Sequence, residues 1–174
     1  MPEYLYYIIL YLLAQNVKPK EKIQEEIEMK EIKVFSCSKM DGTKMSGDGN
    51  EFTVKDIIAR TDAKQCRASF VEVEPGNYAY GYHYHEMDEE IFYVINGTGI
   101  VRTPKGDVTV NAGEAITLPT GPDGAHVMRN GSDTEKLIYI DFDTNNVPEI
   151  VHFPDIKKVM AYGPFSNGMY DENK

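Results

Sequence analysis

The stretch from Ala68 to Asp143 constrains the fold most, because it consists of short apolar runs cut by tight turns. The runs are ASFVEVE (68–74), EIFYVI (90–95), GIVRT (99–103), DVTVN (107–111), AITLP (115–119), HVMRN (126–130) and KLIYIDFD (136–143). Between them stand PGNYAYG, NGTG, PKG, AGE, TGPDG and NGSD. Strands of this length, rich in Val, Ile, Tyr, Phe and Thr and punctuated this often, predict an all-β antiparallel sandwich or barrel. The segment EIVHFPDIKKVMAYGPF predicts one or two further strands, and the final SNGMYDENK reads as frayed.

The remainder of the chain has a different texture. Residues 1–50 read as an N-terminal helical or irregular extension, 51–165 as the barrel and 166–174 as a tail. YLYYIILYLL (4–13) is continuously apolar, but a bilayer span needs about 20 such residues, so stable membrane insertion is not expected. Residues 18–33 are rich in Lys and Glu, and Ile23 and Ile27 lie four apart, the spacing of a short amphipathic helix. Residues 36–50 (SCSKMDGTKMSGDGN) read as a loop. Met29 opens MKEIKVFSCSKM like a natural start, so residues 1–28 are expected to be an upstream extension.

Charge narrows the partners. A net charge of -10 argues against nucleic acid, because phosphate binding needs a basic surface. Two cysteines, Cys37 and Cys66, are too few for a disulfide framework and read as reduced thiols of a cytoplasmic protein.

The chemistry-bearing segment is GYHYHEMDEEIFYVINGTG (81–99), which holds two of the four histidines. On an extended chain His83 and His85 share a face and Tyr84 points away. Glu90, Phe92 and Val94 share a face of the next strand, and His126, Met128 and Asn130 share one further on. A closed sandwich can bring His83, His85, Glu90 and His126 to one interior point. Three imidazoles and a carboxylate suit a divalent transition metal: Mn, Fe, Co, Ni or Zn. Glu89 is the competing carboxylate; Glu86 and Asp88 read as solvated turn charges. His152 reads as an ordinary strand or surface histidine.

Both segments resemble the paired motifs of the cupin superfamily. The first, G-x5-H-x-H-x(3,4)-E-x6-G, is matched by Gly76, His83, His85, Glu90 and Gly97. The second, G-x5-P-x-G-x2-H-x3-N, is matched by Gly113, Pro119, Gly121, His126 and Asn130. Two departures stand out: six residues rather than five separate Gly76 from His83, and four rather than two separate Gly121 from His126. The resemblance implies a double-stranded β-helix, a jelly-roll-like barrel, with one metal held by the three histidines and Glu90. It is loosest for activity, where the tail PEIVHFPDIKKV is similar to small one-domain cupins labelled as sugar-phosphate isomerases.

Tyr80, Tyr82, Phe92, Val94, Arg67, Arg102 and Met128 are the candidate pocket residues; Tyr84 and Arg129 are expected outside. No phosphate loop, dinucleotide fingerprint or Ser-His-Asp order is present, so any chemistry centres on the metal. The expectation is a metal-dependent isomerase or lyase acting on a small polar metabolite such as a sugar, sugar phosphate or keto acid. An iron-dependent dioxygenase and a non-catalytic ligand- or metal-binding cupin are the alternatives. A homodimer is expected from the resemblance.

Overall fold

The computed structural model describes residues 31–47, 50–165 and 167–172. The apolar run at 4–13, the Lys/Glu-rich segment up to residue 30 and the Met29 start lie outside the described residues. The chain divides into two units, Met1–Val34 and Phe35–Lys174, and everything below concerns the second. Among the described residues no helix is long and apolar enough to cross a membrane.

Among the described residues thirteen strands follow in order: β1 (Thr43–Gly47), β2 (Asn50–Ile58), β3 (Cys66–Val73), β4 (Tyr78–His85), β5 (Glu90–Asn96), β6 (Thr98–Thr103), β7 (Gly106–Asn111), β8 (Ala115–Leu118), β9 (His126–Asn130), β10 (Leu137–Thr144), β11 (Glu149–Phe153), β12 (Lys158–Tyr162) and β13 (Asn167–Asp171). One sheet runs β1-β2-β3-β10-β5-β8 and the other β13-β12-β11-β4-β9-β6-β7. Their strand pairs are antiparallel.

The seven runs read from sequence all lie on strands. Three expectations are corrected. The supposed loop at 36–50 contains β1, whose Met45 pairs with Phe52 across a hairpin. PGNYAYG is only partly a turn, because Tyr78–Gly81 already belongs to β4. Residues 149–165 hold the two further strands expected there, β11 and β12, but the end read as frayed pairs as β13, with Met169 opposite Met160.

The core is built by one face of each sheet. Phe92 and Val94 of β5, Leu137 and Tyr139 of β10 and Val71 and Val73 of β3 face Ala79, Val101 and Met128 of the other sheet. Burying each larger side chain contributes about 1.5–3 kcal/mol. The β5–β6 hairpin turns at Gly97, where φ is 81° and an added Cβ would stand 2.9 Å from the Lys136 carbonyl oxygen. Only glycine satisfies both conditions. Asn130, the last residue of the second motif, is structural: its amide donates to the Val73 and Glu135 carbonyls at 2.9 and 2.8 Å.

Outside the first sheet, Ile91, Tyr93 and Ile95 of β5 and Phe142 of β10 are exposed. Such a contiguous apolar surface is of the kind that marks association sites.

Far from the histidines, Glu72 on β3 gathers Lys55 at 2.5 Å and Lys136 at 3.0 Å. Cys37, a free thiol like Cys66, donates to the same carboxylate at 3.3 Å. Burial works against the Glu72 charge, but the two ammonium groups and the thiol outweigh it and lower its pKa to about 2. A depressed carboxylate pKa stabilises the fold above the unfolded value and ceases to do so as pH falls through the folded one. From 4.5 to about 2, and discounted for solvent screening around the half-exposed Lys136, the linkage amounts to about 1–2 kcal/mol. Glu72→Gln is therefore expected to lower the melting temperature clearly at pH 7. The gap to the native protein should narrow as pH falls from 4.5 toward 2. Scanning calorimetry across that window checks it; a gap independent of pH would refute it.

Candidate metal centre

β4 carries the first two imidazoles inward. Its pairing with β9 is in register at Ala79 opposite Met128 and again at His83 opposite His126, with a bulge between. That bulge absorbs the extra residue of the first motif, and bulges re-aim side chains beside functional sites. Within it Tyr80 has φ 64°, an outlier for a bulky residue and worth about 1–3 kcal/mol of strain. The consequence is that Tyr80 joins the cavity lining together with His83 and His85, although simple alternation places it on the opposite face.

The second departure also has a structural account. The extra residues before His126 form the 3-10 turn Pro122–Gly124. A Cβ on Gly124 would sit 1.7 Å from the Pro119 carbonyl oxygen, so only glycine fits. The Gly124 carbonyl then meets His126 Nδ1 at 2.9 Å. His83 does the same with the Gly81 carbonyl at 2.8 Å. Each imidazole therefore donates from Nδ1 and keeps its Nε2 lone pair free, the tautomer a metal ligand needs.

His126 Nε2 stands 3.2 Å from Glu90 Oε2, and His85 Nε2 stands 3.4 Å from Glu90 Oε1. His83, Glu90 and His126 form one compact donor group, and His85, Glu90 and Asp143 form an overlapping one. The rings of His83 and His126 are 4.5 Å apart, and those of His83 and His85 5.3 Å. All four residues are buried, His126 to within 1%. His126 Nε2 is a buried nitrogen with no hydrogen-bond partner. An orphaned buried acceptor is costly, and a cation at the centre would satisfy it. The donor set and this orphan fit a borderline divalent metal.

Electrostatics divides the three imidazoles. Burial pulls His83 well below the ordinary imidazole value, with His126 and His85 adding to the effect. Burial likewise takes His126 down to about 4. His85 goes the other way. Burial opposes its charge, but Glu149 and Glu90 outweigh it and lift it to about 10.

Glu149, at the start of β11, is the supporting residue that sequence reading missed. It is 1% exposed. Its Oε1 lies 3.4 Å from His85 Nδ1, an ion-pair distance rather than a hydrogen bond. Its carboxylate accepts the backbone N–H groups of Glu86, Met87 and Asp88 at 3.0, 3.0 and 3.1 Å. It thus fixes the β4–β5 turn that separates His85 from Glu90. Asp88, expected in solvent, is buried. It pairs with Arg60 at 2.9 Å and accepts the Asn146 backbone N–H at 2.7 Å. Glu86 and Glu89 are exposed. His152 pairs with Glu86 and Glu172 at 2.8 and 2.9 Å and stacks on Tyr84.

A cavity of about 90 Å³ opens over His83, His85 and Glu90 and is lined also by Arg60, Arg67, Tyr80, Asp141 and Phe153. Two sequence candidates, Arg67 and Tyr80, line it. Phe92, Val94 and Met128 do not; they lie in the apolar core, with the Phe92 ring 5.3 Å from that of His126. Arg102 and Tyr82 lie elsewhere: the guanidinium sits 3.9 Å over the Tyr82 ring and pairs with Asp155 at 2.7 Å. Arg129 is exposed and pairs with Asp107.

Asp141 and Asp143 were not foreseen. Both are buried. Burial, then the adjacent Asp143, pushes the Asp141 carboxyl up to about 8. Burial and Glu90 push Asp143 up as well. Tyr80 and Asp141 line the same cavity, and burial, then Asp141, raises the Tyr80 hydroxyl well above its usual value.

The two antiparallel sheets that enclose these side chains are consistent with the cupin β-sandwich fold, and the comparisons agree. Residues 69–143 match the sequence profile of the cupin domain family. In structure the chain is similar to a candidate sugar phosphate isomerase from Acidithiobacillus ferrooxidans, with a TM-score of 0.69 and 20% identity over 79% of this chain and 91% of that one. It is similar to a sugar phosphate isomerase of the cupin superfamily from Silicibacter pomeroyi, with a TM-score of 0.69 and 17% identity over 81% and 94%. A protein from Thermotoga maritima described as a predicted oxalate decarboxylase aligns with a TM-score of 0.57 and 22% identity over 66% and 100%. At these identities the likeness is one of fold. Among curated protein sequences none matches this chain.

Proposed function

We propose that the barrel is a metal-dependent enzyme of isomerase or lyase type, acting on a small polar metabolite such as a sugar, a sugar phosphate or a keto acid. The observation that carries it is the orphaned, buried His126 Nε2 facing Glu90 amid two further imidazoles. A divalent metal held by His83, His85, Glu90 and His126 supplies Lewis-acid polarisation of a carbonyl or hydroxyl. The chain's own residues supply the proton handling. Asp141, held near neutrality in its titration, gives or takes a proton at physiological pH, and the Tyr80 hydroxyl orients it. Phe153, stacked 5.7 Å from His83, walls the cavity against water. The names of the structural relatives support the isomerase reading without deciding it. A homodimer through the Ile91–Tyr93–Phe142 face belongs to the same reading.

Solvent hydrogen exchange tests it. Metal-loaded protein in D₂O, offered aldose phosphates and 2-keto acids, is expected to place deuterium beside the carbonyl of at least one of them. Tyr80→Phe should slow this by about tenfold to a hundredfold. Iron-dependent oxygen consumption without exchange would replace the reading with a dioxygenase. Binding without exchange or any product would make the barrel a ligand binder.

A further inference from the structure

We infer that Arg60 and Arg67 form an oxyanion clamp over the metal centre, so that the substrate carries an anionic group, carboxylate or phosphate, beyond the atoms that meet the metal. This rests on the metal-centre reading above.

The two arginines come from different places. Arg60 follows β2, and Arg67 lies on β3. Both line the cavity shared with His83, His85 and Glu90. Each guanidinium is tied along one edge. Arg60 Nη2 donates to Asp88 Oδ2 at 2.9 Å, and its plane lies 4.4 Å over the Tyr162 ring. Arg67 Nη2 donates to Asp143 Oδ1 at 2.8 Å. These contacts hold both groups in place without exhausting them. Arg60 Nη1 and Arg67 Nε are buried and have no hydrogen-bond partner. Arginine has five donors, no acceptor and no accessible neutral form. Both side chains line the cavity, and an acceptor entering it is the partner we assign to these donors.

An anion supplies that acceptor in the geometry the fork favours. Asp88 and Asp143 cancel much of the arginine charge, so the preference comes from directed hydrogen bonds more than from net field. In a chain of net charge -10, local donors are what an anion requires. One further atom completes the pattern. Asp141 Oδ1, on the same cavity, is also buried and unpartnered. Two donors and one acceptor match an acid that also bears a hydroxyl group.

Calorimetric titration of metal-loaded protein tests the clamp with three acids that share one chelating head. Glycerate bears the 2-hydroxy acid head and an uncharged hydroxyl; malate carries a second carboxylate in its place and 3-phosphoglycerate a phosphate. The native protein is expected to bind malate or 3-phosphoglycerate at least about tenfold tighter than glycerate. Which of the two gains tells carboxylate from phosphate. Arg60→Gln and Arg67→Gln should each erase the gain while leaving glycerate within about twofold. Arg60→Lys and Arg67→Lys keep a charge beside the buried aspartates, so they guard against loss of fold. They should recover only part of the gain, because an ammonium lacks the fork. Equal affinities for the three acids, or a gain that survives all four substitutions, would overturn the clamp and assign the free donors to water. Metal content of the same samples separates the two readings. If the native protein takes up no metal, the proposed function fails on its own. Inorganic phosphate and malate titrated into that protein then decide the clamp: binding lost in the arginine variants upholds it, and no binding overturns it.

Discussion

His126→Ala is expected to empty the barrel of metal. Native mass spectrometry of protein reconstituted with Mn, Fe, Co, Ni or Zn should show one ion per native chain. In the variant, affinity should fall by more than about a hundredfold, beyond the loss typical of a merely supporting residue. The same spectra read the mass of the assembly and so the expected homodimer. The specificity of the effect follows from the site. His126 makes one backbone contact, to Gly124, and its other nitrogen has no partner. Removing it deletes a ligand without orphaning a charge. In the presence of a chelator the variant should melt below the native protein only by the cost of the cavity left behind, about 2–3 kcal/mol or several degrees. A native protein that binds none of these metals would refute the site. So would a variant that retains them.

Glu149→Ala should have the largest effect on stability of any substitution at the centre, although Glu149 is not proposed as a ligand. Three backbone N–H groups and the His85 ring face its carboxylate. Deleting a buried charged partner costs about 3–5 kcal/mol. For a chain of this size that corresponds to a fall in melting temperature of about 10 °C or more. Metal affinity should drop by about 10–100-fold, because the His85 ring loses its orienting partner. Glu149→Gln keeps the volume but presents an NH₂ where N–H groups point. It should lie between alanine and native in both measurements. A melting temperature unchanged in Glu149→Ala would show that solvent can replace the carboxylate.

Strand alternation made His83, His85, Glu90 and His126 legible, because period two is a rigid constraint once a segment is extended. The Asn96-Gly97 pair likewise marks a tight hairpin turn that needs a positive φ. Reading stopped where both faces of a strand are apolar or where a partner is remote. LIYIDFDT shows the first limit. Ile138, Ile140 and Phe142 look like the core face, yet Tyr139, Asp141 and Asp143 are the buried set. A sheet with an apolar outside hides an acidic inside. Glu149 shows the second limit, since its contacts are made across 61 to 63 residues. Tyr80 and Tyr82 looked equivalent, and only the bulge with its positive φ separates them. Arg60 gave a weak signal, a lone cation at the end of β2 whose role depends on a turn far along the chain.

The centre draws its donors from both sheets. His83, His85 and His126 come from β4 and β9, and Glu90 from β5. An ion seated among them would be a rivet through two plates joined elsewhere by apolar packing, which permits small slides, and by a few hydrogen bonds such as that from Asn130 to Val73. With the rivet in place, sliding would break coordination bonds rather than exchange one van der Waals contact for another. Loading the metal would then stiffen the whole sandwich in shear, including β12 and β13, which touch no ligand.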